Sequence, residues 1–210
     1  MVVMGAALLW VGWFGFNGGS AVAADSSAAM AILVTHISAA VGALTWMTVE
    51  WLKTGKPSVI GIATGMVAGL ATITPASGTV GPQGALLIGL FAGLVCFYAT
   101  QLIKGVLKID DSLDVFPVHG VGGILGILML SFLGKPDGFL GAGASGFEPS
   151  VMEQFLIQLQ GVGVICLWTL FFSWIALKAT SMIVPLRVNE DAEVEGLDFA
   201  EHNETGYYSS

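Results

Sequence analysis

Residues 110–126 read D-D-S-L-D-V-F-P-V-H-G-V-G-G-I-L-G. They set a single histidine, His119, in an apolar, glycine-rich run that continues to Leu133. The run is long enough to enter a bilayer, and an ionisable side chain there is by default a functional one. Asp110, Asp111 and Ser112 carry side-chain oxygens that can accept from the open N–H groups of a first turn, which predicts a helix over 112–133. Counted from its start, His119 lies about eight residues in, or roughly 12 Å at 1.5 Å per residue, against a hydrocarbon core of about 30 Å. That depth is near mid-membrane. A low dielectric favours the uncharged imidazole, with one nitrogen a donor and the other an acceptor. Such a ring can line a pore for a small polar molecule, or it can be bonded to a neighbouring helix with nothing passing it. Gly120, Gly122, Gly123 and Gly126 leave space for either arrangement.

The rest of the chain has the same character. Of its 210 residues 55% are hydrophobic and only 10% are charged, the profile of an all-α polytopic membrane bundle, which excludes a soluble globular domain. Six apolar segments are expected to span the membrane, at about 2–16, 28–52, 58–73, 82–107, 112–133 and 152–184. Together they make residues 1–187 a membrane domain. The first begins at Met1 with no charged flank and no cleavage site, so it is expected to be an internal start in a longer protein rather than a signal peptide. Seven of the acids lie between Asn189 and Ser210 with no lysine or arginine among them. The formal charge of −8 therefore belongs to an acidic tail, residues 188–210. Poor in large apolar groups, the tail is expected to have little structure of its own.

Basic residues set the orientation. Lys53, Lys56, Lys104, Lys108, Lys178 and Arg187 flank alternate loops and the tail, whereas the opposite loops hold Lys135. The positive-inside rule then puts both termini of the chain, and the tail, in the cytoplasm. Gly61, Gly65 and Gly69 recur every four residues, as do Gly89 and Gly93, a spacing that lets helix backbones approach closely in lipid. Trp13 to Ser20 put aromatic rings, then hydrogen-bonding groups, at one end of the first segment. They form either a face for a cation, worth about 0.5 to 2 kcal/mol, or an interfacial aromatic belt. His36 reads as interhelical packing, and Glu50 as a solvated boundary residue. Cys96 and Cys166 lie in apolar runs and imply neither a disulfide nor a metal site. No nucleophile triad, zinc-ligand pair or phosphate loop stands out, so neither enzyme chemistry nor a cofactor is expected. Nothing indicates a nucleic-acid partner.

Five motifs carry a resemblance: G-W-F-G-F-N-G-G-S at 12–20, E-W-L-K-T-G-K-P-S at 50–58, A-T-I-T-P-A-S-G at 71–78, D-D-S-L-D-V-F-P-V-H-G-V-G-G at 110–123 and E-G-L-D-F-A-E-H-N-E-T-G-Y at 195–207. Together they resemble the second half of an ammonium transporter of the Amt/Mep/Rh family, in unbroken order over nearly the whole chain. The family fold has eleven spanning helices, two inverted five-helix repeats and a long last helix. The resemblance implies that this chain holds the second repeat, the last helix and the tail.

Residue by residue, the resemblance makes Phe16 a pore-gating phenylalanine and Ser20 a hydroxyl of the outer recruitment site. Trp13 and Asn17 are similar to their structural neighbours, and Thr74 to a threonine near the outer vestibule. His119 resembles the second of twin pore histidines, with Asp111 and Asp114 the acids leading into its helix. Pro117 stands where many members carry a small residue, which puts the local backbone path in question. The implied function is uptake of ammonium and passage of ammonia by a homotrimer, regulated through the tail by a PII-type signal protein. A membrane ammonium sensor or regulatory subunit built on the same helices is the alternative. Moving a bare cation into a low dielectric costs tens of kcal/mol by a rough Born estimate. Removing its proton costs roughly 3 kcal/mol when its pKa is about two units above ambient pH. The first histidine and its partner gate are not among these 210 residues, so the chain alone is expected not to conduct.

Overall fold

The computed structural model describes residues 1–134 and 150–206; residues 135–149, Lys135 among them, and 207–210 lie outside the described residues. The helices run α1 (Val2–Gly19), α2 (Ser26–Thr54), α3 (Val59–Ile73), α4 (Pro82–Thr100), α5 (Gly122–Leu133), α6 (Val151–Ser181), α7 (Glu190–Glu195) and α8 (Leu197–His202). A 3-10 turn, Thr74–Ala76, prolongs α3; a π-helix, Gln101–Val106, prolongs α4; a second π-helix, Phe116–Val121, leads into α5. With these extensions, six helices among the described residues are long and apolar enough to cross a membrane. The architecture is an all-α membrane bundle. It divides into two compact units, Met1–Val162 and Gly163–Ser210.

In the first unit α2 is the central helix, with α3 and α4 packed on two of its sides. The glycine stripes make both contacts possible. A β-carbon on Gly42 of α2 would stand 2.5 Å from the carbonyl oxygen of Gly65, and one on Gly89 of α4 would stand 2.6 Å from that of Ser38. Ser38 Oγ, fully buried, donates to the Gly69 carbonyl at 2.8 Å and ties α2 to α3. In lipid, where apolar burial does not drive helices together, this backbone proximity and its dispersion contacts supply the association. Trp46 of α2 with Phe97 and Cys96 of α4 and Val118 of the second π-helix forms one apolar cluster. Ala39, Met66 and Leu70 form another, against which Trp10 and Trp13 of α1 pack.

Several boundaries differ from those expected, for identifiable reasons. The first helix continues through Gly18 and Gly19, because Asn17 Nδ2 donates to Thr35 Oγ1 at 2.9 Å and fixes the end of α1 on α2. α2 begins at Ser26, where the Asp25 carboxylate accepts from the N–H groups of Ser27 and Ala28, and stops at Gly55, whose φ of 80° makes a left-handed cap. α6 ends at Ser181, four residues before Pro185, whose ring would strike that carbonyl in a longer helix. Glu50 is not simply solvated: its carboxylate accepts from Ser58 N at 3.0 Å and Ser58 Oγ at 2.9 Å, clasping the α2–α3 turn.

The second unit contains the C-terminal part of α6, from Gly163, and the tail. The Trp168 and Phe172 rings meet there at a tilt of 38°, with centroids 4.2 Å apart. The tail is more ordered than its composition implies. Asn189 Oδ1 accepts from Ala192 N at 2.8 Å, acids occupy the first turn of α7, and the Arg187 guanidinium meets both Glu193 oxygens, at 2.5 and 3.0 Å. These caps and charges supply what the missing apolar residues do not. α7 and α8 are nonetheless only six residues each.

Gly42→Val should therefore destabilise the bundle by about 3 kcal/mol or more, since the added carbons meet backbone rather than movable side chains. Gly161→Ala, which adds a carbon in open space, should be neutral. Thermal unfolding of the detergent-solubilised variants checks both.

Candidate functional site

Trp13 holds the site together. Its Nε1 donates to Thr74 Oγ1 at 2.7 Å, and Thr74 in turn donates to the Leu70 carbonyl at 2.7 Å. The threonine is in place because α3 passes there into its 3-10 turn, with Pro75 inside the turn. Behind the indole lie Ala39, Met66 and Leu70. In front of it, the His119 ring stacks with an interplanar angle of 17° and a centroid distance of 6.3 Å. Phe16, one turn further along α1, meets the same indole edge-on at 6.0 Å. Trp13, Phe16, Thr74 and His119, taken from three separate motifs, thus form one contiguous group.

His119 reaches this position by a different route from the one expected. Its helix does not begin at 112. Asp114 has φ +56°, and helical structure starts at Val115 and runs at once into the π-helix, so His119 is the fifth helical residue instead of the eighth. Pro117 is the physical reason: in a helix begun at 112 its ring would collide with the Leu113 carbonyl, whereas in a first turn its missing N–H is not needed. Asp111 caps this later start from outside, its two oxygens accepting from Val115 N at 2.9 Å and Phe116 N at 2.8 Å. Depth along the bundle comes from the neighbours. His119 shares a cavity of about 340 Å³ with Ala63 and Val67, which lie roughly 6 to 12 Å along α3 from its first residue at 1.5 Å per residue.

The other predicted residues divide into two groups. Asn17 is buried and spent on its bond to Thr35, a role within the fold. Ser20 is exposed and donates to the Phe16 carbonyl at 2.7 Å, which leaves its lone pairs as acceptors. Phe16 is 62% exposed and lines, with Gly5, Leu8, Leu9, Gly12 and Trp13, an apolar groove of about 620 Å³ along α1. Phe16, Ser20 and His119 are all exposed in this chain. Asp114 pairs with Lys104 at 3.0 Å. In the sequence Lys104 reads only as an orientation charge, and no local signal marks it as a partner. His36 packs on α1 between Trp10 and Phe14, at 5.2 and 5.9 Å.

If the Thr74 hydroxyl holds the indole, Thr74→Val leaves a half-buried N–H without its acceptor and should lower stability by about 1–3 kcal/mol. Thr74→Ser should restore it. Equal unfolding temperatures for Val and Ser variants in detergent would show that the hydroxyl is not the tether.

Comparison with known proteins places these features. The chain is 44% identical over 208 residues to the ammonium transporter Amt1 of Archaeoglobus fulgidus, covering 99% of this chain and 52% of that protein. It is 41% identical to the ammonium transporter of Aquifex aeolicus, covering 99% and 48%. Among solved structures it matches Mep2 of Candida albicans with a TM-score of 0.81 at 32% identity, over 98% of this chain and 49% of that one. It matches a structure described as a sensor Amt protein with a TM-score of 0.84 at 32% identity, over 95% and 48%. The chain spans about half the length of the curated relatives it matches. The family model of the Ammonium Transporter Family covers residues 1–207, and the chain belongs to that family.

Proposed function

We propose that this chain supplies one wall of a membrane path that recruits ammonium and passes it as ammonia. The observation that carries the reading is the exposed His119 imidazole, stacked on a tethered Trp13 beside an apolar groove. Ammonium offers four N–H donors and no acceptor, so a recruitment site needs acceptors and aromatic faces. Ser20, with free lone pairs, and Phe16 provide one of each. Beyond them the groove is apolar, and a bare cation there would lose its hydration at a cost of tens of kcal/mol by a rough Born estimate. Ammonia avoids that cost. A neutral imidazole can both donate to its lone pair and accept from its N–H groups.

The exposed groove also supports the view that a facing set of helices completes the path, because an imidazole against lipid would leave its hydrogen bonds unmet. In the assembled protein we place three such paths in a homotrimer, with the basic ends of the helices and the acidic tail cytoplasmic. The tail is then the docking side for a PII-type signal protein. A second reading, a membrane ammonium sensor with the tail as output, is favoured by the similarity to the sensor Amt protein. Both readings use His119, and uptake separates them.

In cells expressing the full gene product, His119→Ala should abolish or alter methylammonium uptake with membrane insertion intact. Unchanged uptake would remove His119 from the path. No uptake by the unmodified protein, with a tail-dependent response to ammonium, would favour the sensor.

A further inference from the structure

Lys104 stands in the π-helical end of α4 and is linked to His119 through a short chain of contacts. Its Nζ lies 3.0 Å from Asp114 Oδ1. That oxygen is closed off from solvent and makes no hydrogen bond among the described residues, so the contact is a pairing of charges. Asp114 occupies a left-handed backbone conformation, φ +56°, which a residue other than glycine keeps only when its surroundings hold it. Its carbonyl accepts from Val118 N at 3.1 Å and so forms the first hydrogen bond of the turn that carries His119. The segment between the two π-helices contains a second left-handed residue, Lys108, with φ +52°. π-Helical turns and left-handed residues are costly features that gather where a side chain must be aimed.

We infer that Lys104 is a positioning residue for conduction. Its charge anchors Asp114, Asp114 fixes where the helix starts, and the start sets the register of His119 against Trp13. The inference rests on the assignment of His119 to the path. Without the ammonium group the Asp114 carboxylate is left unpaired in a mostly closed site and turns toward water, releasing the left-handed turn. A displacement of about 1 Å in an aligned group is enough to cost one to two orders of magnitude in rate.

The test uses the full gene product in membranes. Lys104→Met should lower the maximal rate of methylammonium uptake roughly tenfold or more, with the half-saturating concentration unchanged because Phe16 and Ser20 are untouched. Lys104→Arg should keep most of the rate. Histidine-labelled protein gives an independent readout: in Lys104→Met the ring resonances of His119 should move as its stack on Trp13 is lost, while those of His36 stay in place. If Lys104→Met does not assemble, Asp114→Asn carries the same two readouts, since asparagine also accepts the left-handed backbone. Wild-type uptake, or reduced uptake with an unmoved His119 signal, overturns the positioning role. If His119→Ala itself leaves uptake unchanged, the path assignment fails separately, and the His119 resonance alone decides whether Lys104 sets the ring.

Discussion

The close approach of α2 to α3 and α4 is the constraint on which the rest depends. The Ser38 carbonyl is met from one side by Gly69 and from the other by Gly89, so three backbones cross within a space that admits no side chain. Because lipid is as apolar as any leucine, such proximity and the Ser38–Gly69 hydrogen bond do what the hydrophobic effect does in water. The end of α3 is thereby fixed, and with it Thr74. The site begins there: Thr74 fixes the indole of Trp13, and the indole presents a rigid face to His119.

Hydrogen bonding in a medium without water decides which polar side chains serve the fold and which remain open. Asn17 and Thr35 satisfy each other inside the bundle, and Thr35, Thr64, Thr74 and Thr180 turn their hydroxyls back on the carbonyl four residues earlier. Among the described residues His119 has no such internal solution. Its exposure, together with that of Phe16 and Ser20, is what the proposed path rests on.

Much of this was legible in the sequence because hydropathy and glycine spacing are local patterns. The apolar segments follow from composition, the stripes at Gly61–Gly69 and Gly89–Gly93 from a four-residue repeat, and Phe16, Ser20 and His119 from their motifs. What could not be read involves contacts between distant positions. Trp13 and Thr74 are 61 residues apart, and nothing near either names the other. The Lys104–Asp114 pair requires the chain to turn back between two π-helices. The helix start at Val115 is hidden locally because three polar residues at 110–112 look like a cap, while the effect of Pro117 on the Leu113 carbonyl acts from downstream. Glu50 and Ser58 meet only because the turn between α2 and α3 closes at Gly55.

The central claim is that the His119 face is one wall of a path and needs a facing wall. Reconstituting the purified 210-residue chain in liposomes and following ammonia-driven internal pH change tests it most directly. The six-to-one asymmetry of basic residues opposes the inverted pairing through which two copies could enclose a path. No flux above that of empty liposomes is therefore the predicted result. Flux that disappears with His119→Ala would contradict the account.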